Sequence, residues 1–260
     1  MILVLGASGR LGRMLRWAWA GKNGVTWHLG RGDGDILSPS ASFLTTLQSA
    51  RVIVNLAGVT PSPGADLSLN LALGVAPHHH APQARILTAS SAAVYGVSTE
   101  PHTEDAPLAP PLPYGRSKQA MEDALRSHPN HLILRIGNVA GADQLLGGLG
   151  SNTPELHCFA DGSTPVRSYI GPRGLGHAVD ALVAAECVAE TVNIASAPVS
   201  MGDLLDAAGR SFTATPAPPA LPRSVILDIS RLRRLCPDLR LATSASDMVA
   251  EWTDFRHSGK

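Results

Sequence analysis

Apolar positions along the chain keep two alternating periods. Residues 1–5 (MILVL) form a short unbroken apolar run, the mark of a strand buried on both faces. A glycine-rich turn follows, and then Leu11, Met14, Leu15, Ala18 and Trp19 recur at helical spacing. The alternation continues. Apolar runs at 25–29, 51–56, 85–88 and 131–136 predict strands, and segments 41–47, 66–75 and 114–127 predict helices between them. Strands alternating with helices predict an α/β fold around a parallel, doubly wound sheet. Beyond Gly141 the texture changes. Residues 142–173 are rich in Gly, Pro, Asn and Ser, show little periodicity and read as irregular. A helix over 175–187, a strand over 191–195 and a Pro/Ala-rich loop over 214–222 follow. Residues 224–255 then read as a strand and short helices, and no internal repeat occurs.

The first turn gives the sheet a purpose. Gly6-Ala7-Ser8-Gly9-Arg10-Leu11-Gly12 lies between the first strand and the first helix. In G-x-x-G-x-x-G the first Gly permits the tight turn and the second lets the backbone approach a pyrophosphate. The third lets helix and strand pack closely. The helix N-terminus then offers unpaired N–H groups to phosphates. This is the strand–turn–helix context of a dinucleotide-binding Rossmann motif, and it makes Gly6, Ser8, Gly9, Arg10, Leu11 and Gly12 cofactor-binding candidates. After the second strand the chain reads Gly30-Arg31-Gly32-Asp33. Arg31 stands where a cation meets a 2′-phosphate, with Arg10 able to assist, so NADP is favoured over NAD. Asp33 is the competing partner for ribose hydroxyls. On this reading the chain divides into a dinucleotide-binding Rossmann domain, 1–140 with 171–196, and a small C-terminal substrate-binding subdomain, 141–170 with 197–260.

Composition narrows the classes. The 260 residues carry 21 basic and 21 acidic side chains, which argues against a nucleic-acid-binding face. No apolar run approaches a membrane span. Arg10, Arg13 and Arg16 precede the first acidic residue, Asp33, as in an organelle transit peptide, but the same residues make a better strand–turn–helix. Cys158, Cys187 and Cys236 are far apart and odd in number, so neither a disulfide framework nor a Cys metal site is expected. A reducing, cytoplasmic setting fits. His78-His79-His80 lies between Pro77 and Pro82, reads as an exposed loop, and is not expected to bind metal, since consecutive residues converge poorly on one ion.

Lysine and tyrosine are scarce, at three each, yet Tyr114 and Lys118 stand four apart. Composition alone would place such a pair roughly 0.03 times in the chain. On a helix the two share a face. A nearby ammonium and a cationic nicotinamide favour the phenolate, which brings the Tyr114 pKa down toward neutrality and suits it to general acid/base work.

Together these segments resemble the extended short-chain dehydrogenase/reductases, the NAD(P)-dependent epimerase/dehydratase group acting mainly on nucleotide sugars. The resemblance is carried by GASGRLG (6–12), GDIL (34–37), NLAG (55–58), SSAAVYG (90–96), PYGRSK (113–118) and LRIGNVAG (134–141). It continues through DGSTPVRSYIGPRGLGHAVDAL (161–182), VNIAS (192–196) and, weakly, LDISRLRRL (227–235). The resemblance implies that Ser91 hydrogen-bonds the reacting oxygen, that Tyr114 is the general acid/base, and that Lys118 holds the nicotinamide ribose. It implies that Asp35 and Ile36 flank the adenine and that Leu56, Ala57 and Gly58 line the ribose and phosphates. Thr60, Asn138 and Arg167 are implied to touch substrate, Arg167 suiting a diphosphate. Asn70 is a further position near the cofactor, in neighbours that fit the pattern poorly. A homodimer through the helix of Tyr114 is also implied.

The chain is short for this group, with trimming before Asp35, between Gly58 and Ser90, and at the C-terminal end. Ala92 and Ala93 stand where a dehydratase carries acidic residues. Three readings follow. The first is hydride transfer on a nucleotide sugar. The second is NADPH-dependent reduction of a small carbonyl compound, which a trimmed cleft favours. The third is a non-enzymatic NAD(P) sensor, which an intact Ser91, Tyr114 and Lys118 oppose.

Overall fold

A computed structural model describes residues 1–150, 152–185 and 190–259. The first half alternates strictly: β1 (Ile2–Leu5), α1 (Arg10–Ala18), β2 (Val25–Trp27), α2 (Ala41–Ser49), β3 (Val52–Asn55), α3 (Leu69–His80), β4 (Arg85–Ser91), α4 (Pro113–Leu125) and β5 (His131–Ile136). Then come β6 (Asn138–Val139), β7 (Glu155–Cys158), β8 (Val166–Ile170), α5 (Pro172–Ala184), β9 (Thr191–Ile194) and β10 (Ala197–Ser200). The chain continues with α6 (Met201–Ala207), β11 (Thr213–Pro216), β12 (Ser224–Val225), α7 (Ser230–Leu235) and α8 (Ala245–His257).

Six strands form one parallel sheet in the order β2-β1-β3-β4-β5-β9. The chain leaves β1 toward β2 on one side and returns to β3 on the other, so the order reverses between β1 and β3. Ligands of such sheets sit beyond that switch point. Alternate residues of each strand serve opposite faces. Leu3, Leu5, Ile53 and Ile86 pack with Phe43 and Leu47 of α2. Val4, Val54, Leu87, Leu132 and Leu134 pack with Met14 and Leu15 of α1 and with Leu175, Val179 and Leu182 of α5. On the first of these faces α4 adds Met121 and Leu125 against Ile133. The indole of Trp19 donates to the Gly176 carbonyl at 2.9 Å, locking α1 onto α5.

A second sheet, β10-β8-β12 with β6 beside β8, and the β7–β11 pair build the remainder. Here the sequence reading needs correction. Residues 142–173 hold two strands, β7 and β8, and the 214–222 loop opens inside β11. These strands are two to five residues long and are defined by partners far along the chain, such as Thr213 beside Glu155. The predicted 175–187 helix is α5. It begins earlier and ends at Ala184, while residues 186–187, Cys187 among them, lie outside the described residues.

The three histidines are a second correction. They complete α3 rather than a loop, and His78 is buried. Pro77 removes the N–H that would bond the Leu73 carbonyl. The Asn55 side chain donates to that carbonyl at 2.9 Å instead, so the helix passes through the proline. No helix among the described residues is long and apolar enough to cross a membrane.

Candidate active site

The β1–α1 turn packs directly on the loop after β3. Gly6 has φ +73°, and a Cβ there would lie 2.7 Å from the Ala57 nitrogen. A Cβ on Gly12 would collide with the Gly6 carbonyl. Glycine is therefore required at both positions by close backbone approach. Gly9 caps α1 without a side chain, and no acidic residue lies in the first turn, so the helix N-terminus presents its N–H groups outward.

Two cavities meet around this turn, and a third joins the second of them. The first, about 240 Å³, is lined by Gly6, Ser8, Arg31, Asp35, Ile36 and Ala57, and it shares Gly9, Leu56 and Gly58 with its neighbour. The Arg31 guanidinium is largely exposed and lies 4.0 Å from the Asp35 carboxylate. Asp33 is turned away from such a role, because its carboxylate accepts from the Leu29 N–H at 2.6 Å. His28 also lines this cavity, stacked on Phe43 and bonded to the Gly34 carbonyl at 2.7 Å. The sequence reading did not single it out.

The central cavity, about 580 Å³, brings together Arg10, Leu11, Gly12, Thr60, Ser91, Tyr114, Lys118 and Asn138. These residues come from the ends of different elements: Ser91 from β4, Tyr114 and Lys118 from α4, and Asn138 from β6. Pro113 starts α4, where its missing N–H costs nothing, and so places Tyr114 in the first turn. Burial raises the Tyr114 phenol pKa, and the Ser91 hydroxyl beside it opposes the rise. This direction differs from the expected lowering by Lys118. The Lys118 ammonium turns to the Ala89 carbonyl at 2.9 Å, and burial pulls its own pKa down to about 8 against the opposing charge of Glu122.

The third cavity, about 820 Å³, joins the central one through Asn138 and Asp143, which line both. Arg167 lies here rather than beside Tyr114. Its guanidinium donates to the Val166 carbonyl at 2.7 Å and the Pro222 carbonyl at 3.2 Å. Among the described residues no carboxylate pairs with it, which leaves a half-buried cation facing the cavity. Asp143 accepts from the Tyr169 hydroxyl at 2.7 Å and from the Leu146 N–H at 3.1 Å, and burial raises its pKa.

Asn70, which the resemblance placed near the cofactor, accepts from the Val59 N–H at 2.9 Å and donates to the Val59 carbonyl and the Ser117 hydroxyl, tying α3 and α4 to the loop after Gly58. Other supporting residues were not evident from sequence. Behind Ser91 lies a buried ion pair, Glu122 with Arg135, at 2.8 Å. Removing one partner of such a pair costs about 3–5 kcal/mol. The usable signal for Glu122 was its place in the stripe Tyr114, Lys118, Glu122, spaced by four along one helix face.

Residues 2–157 match the NAD dependent epimerase/dehydratase family. A UDP-glucose 4-epimerase of Azospirillum brasilense is 45% identical over 76 residues, which is 27% of this chain and 22% of that protein. The match thus spans about a fifth of that relative. The fold resembles the UDP-glucuronic acid 4-epimerase of Bacillus cereus solved with UDP-glucuronic acid and NAD. The TM-score is 0.76 at 20% identity, over 100% of this chain and 99% of the other. It also resembles the UDP-glucose 4-epimerase of Bifidobacterium longum solved with NAD+ and UDP. There the TM-score is 0.76 at 18% identity, over 99% and 98% of the two chains.

Proposed function

We propose, from the premise that the chain belongs to the NAD dependent epimerase/dehydratase family, that it moves a hydride between a nucleotide-sugar carbon and a nicotinamide cofactor, with Tyr114 exchanging the proton. One observation carries the reading. Ser91, Tyr114 and Lys118 line a cavity joined, through Asn138 and Asp143, to a larger one where the Arg167 cation has no carboxylate partner among the described residues. A group with two phosphates on one end and a reactive carbinol on the other suits that arrangement.

The cofactor fits the residues present. The β1–α1 turn, packed so closely at Gly6 and Gly12 that neither position admits a Cβ, would bring Gly9 and the α1 N-terminus against the pyrophosphate. Asp35, Ile36, Leu56, Ala57 and Gly58 hold the adenosine side. NAD(P) supplies the hydride acceptor or donor. The chain's own residues do the rest. Ser91 holds the substrate oxygen, Tyr114 takes or returns its proton, and Lys118 orders the site as a buried cation. Arg167 and Asn138 hold the substrate, in the part of the chain formed by 141–170 and 197–260 together with β6. Ala92 and Ala93 offer no further acid or base, which favours epimerisation or reduction over dehydration.

For the finer choice of cofactor we assign NADP. Arg31 is an exposed cation at the adenosine cavity, while the Asp33 carboxylate is committed to the Leu29 N–H. Reduction of a small carbonyl is the weaker reading, since it leaves the Arg167 cavity without a role. The function is tested by proton NMR of UDP-glucose, UDP-galactose and dTDP-4-keto sugars incubated with the protein and NAD+ or NADPH. Interconversion of the hexoses or consumption of NADPH supports the proposal. An unchanged spectrum with every pair overturns it.

A further inference from the structure

Three successive residues of β4 face three residues of α4 spaced by four. The Ala89 carbonyl accepts from Lys118 at 2.9 Å, Ser90 donates to Glu122 at 2.5 Å, and Ser91 stands beside the Tyr114 phenol. The central rung of this ladder has no place in the proton transfer itself. Glu122 is fully buried, and Arg135 on β5 is almost as deep. The guanidinium reaches both carboxylate oxygens, at 3.2 and 3.1 Å from Nε and 2.8 Å from Nη2. Its remaining nitrogen is fixed by the Tyr95 hydroxyl at 2.9 Å and the Glu104 carbonyl at 2.8 Å. Tyr95 in turn donates to Asn193 of β9.

We propose that Glu122, clamped by Arg135, is a positioning residue for the proton-transfer site: it sets the register of α4 on β4 and supplies the negative charge that keeps the Lys118 ammonium stable in a buried place. The inference rests on the reading of Tyr114 and Lys118 given above. Its physical basis is geometric. Lys118 is 96% out of solvent and its only oxygen partner among the described hydrogen bonds is a neutral carbonyl. The nearest carboxylate stripe-mate is Glu122, one turn along the same face. A buried ammonium without a nearby anion gives up its proton.

A pair that merely holds the fold disturbs the site in the same way whichever partner is removed. A charge device does not. Glu122→Gln leaves the guanidinium alone and disfavours the ammonium, whereas Arg135→Gln frees the carboxylate for Lys118 and favours it. The chain has three lysines, Lys22, Lys118 and Lys260, so protein labelled with carbon-13 at lysine Cε gives three titrating signals. Lys118→Arg assigns the one of interest. In the parent it is expected to titrate near 8. Glu122→Gln lowers that midpoint by about one unit or more, Arg135→Gln raises it, and Glu122→Asp stays with the parent. Should Glu122→Gln fail to fold, the rise expected in Arg135→Gln still decides the sign. Shifts of the same direction in the two neutralised variants, or no shift in a folded one, overturn the inference. The functional reading fails separately, if Tyr114→Phe keeps full turnover.

Discussion

Tyr114 poses the central question at the residue scale: on the proposed function, a buried phenol held above its ordinary pKa would have to act as a base. The Ser91 hydroxyl beside it opposes the rise, and Lys118 stands one turn further along the same helix. Tyr114→Phe removes the proposed proton acceptor and little volume. Turnover is expected to fall by about 10²–10⁴-fold, with cofactor affinity held, as initial rates and cofactor fluorescence titration will show. At the other end of the cofactor, Arg31→Ala removes an exposed cation. The preference for NADPH over NADH should shrink by about tenfold, or ~1.4 kcal/mol; equal affinities in the parent would remove the basis for NADP. Scarcity made Tyr114 and Lys118 legible, because three tyrosines and three lysines rarely fall at helical spacing by chance. Glu122, Arg135 and Asp143 were not legible. A glutamate on a helix reads as solvent-facing until the arginine on the neighbouring strand is known.

Elements show the same division. The parallel strands and the helices between them were readable because each buries a continuous or helical apolar pattern against a shared core. β4 runs to Ser91, three residues past its apolar run, because β5 continues to pair with it. β7 and β8 escaped notice since short, partly exposed strands in Gly- and Pro-rich sequence carry no pattern of their own. Pro77 and the histidines after it read as a loop because no local signal reveals that Asn55 substitutes for the lost helix bond. That end of α3 carries a measurable consequence. Burial first, then the neighbouring His128, His131 and His79, lowers the His78 pKa to about 4 from an ordinary 6.5. The folded chain thus favours neutral His78, and the unfolded chain binds its proton first as pH falls. The stability that this provides is complete above about pH 6.5 and is lost progressively toward pH 4. Thermal unfolding midpoints are expected to fall across that window, and His78→Leu to flatten the fall.

At the scale of the whole molecule, the three cavities form one connected series, neighbours sharing lining residues. It runs from Arg31, past the glycine turn and Tyr114, to Arg167. The sheet supplies the first two through its switch point, and the small strands after Gly141 supply the third. Length alone suggested a trimmed substrate cleft, yet the cavity holding Arg167 measures about 820 Å³, within the range of small-molecule and cofactor sites. The sequence could not disclose this, because β8 places Arg167 only by pairing with β10 and β12. The central claim is that this series of cavities takes a nucleotide sugar. Saturation-transfer NMR with UDP-glucose, UDP-galactose, UDP-glucuronic acid and dTDP-glucose tests it most directly. Transfer to base, ribose and hexose protons of at least one of them, weakened in Arg167→Ala, is the predicted result. No transfer to any of the four would contradict the account.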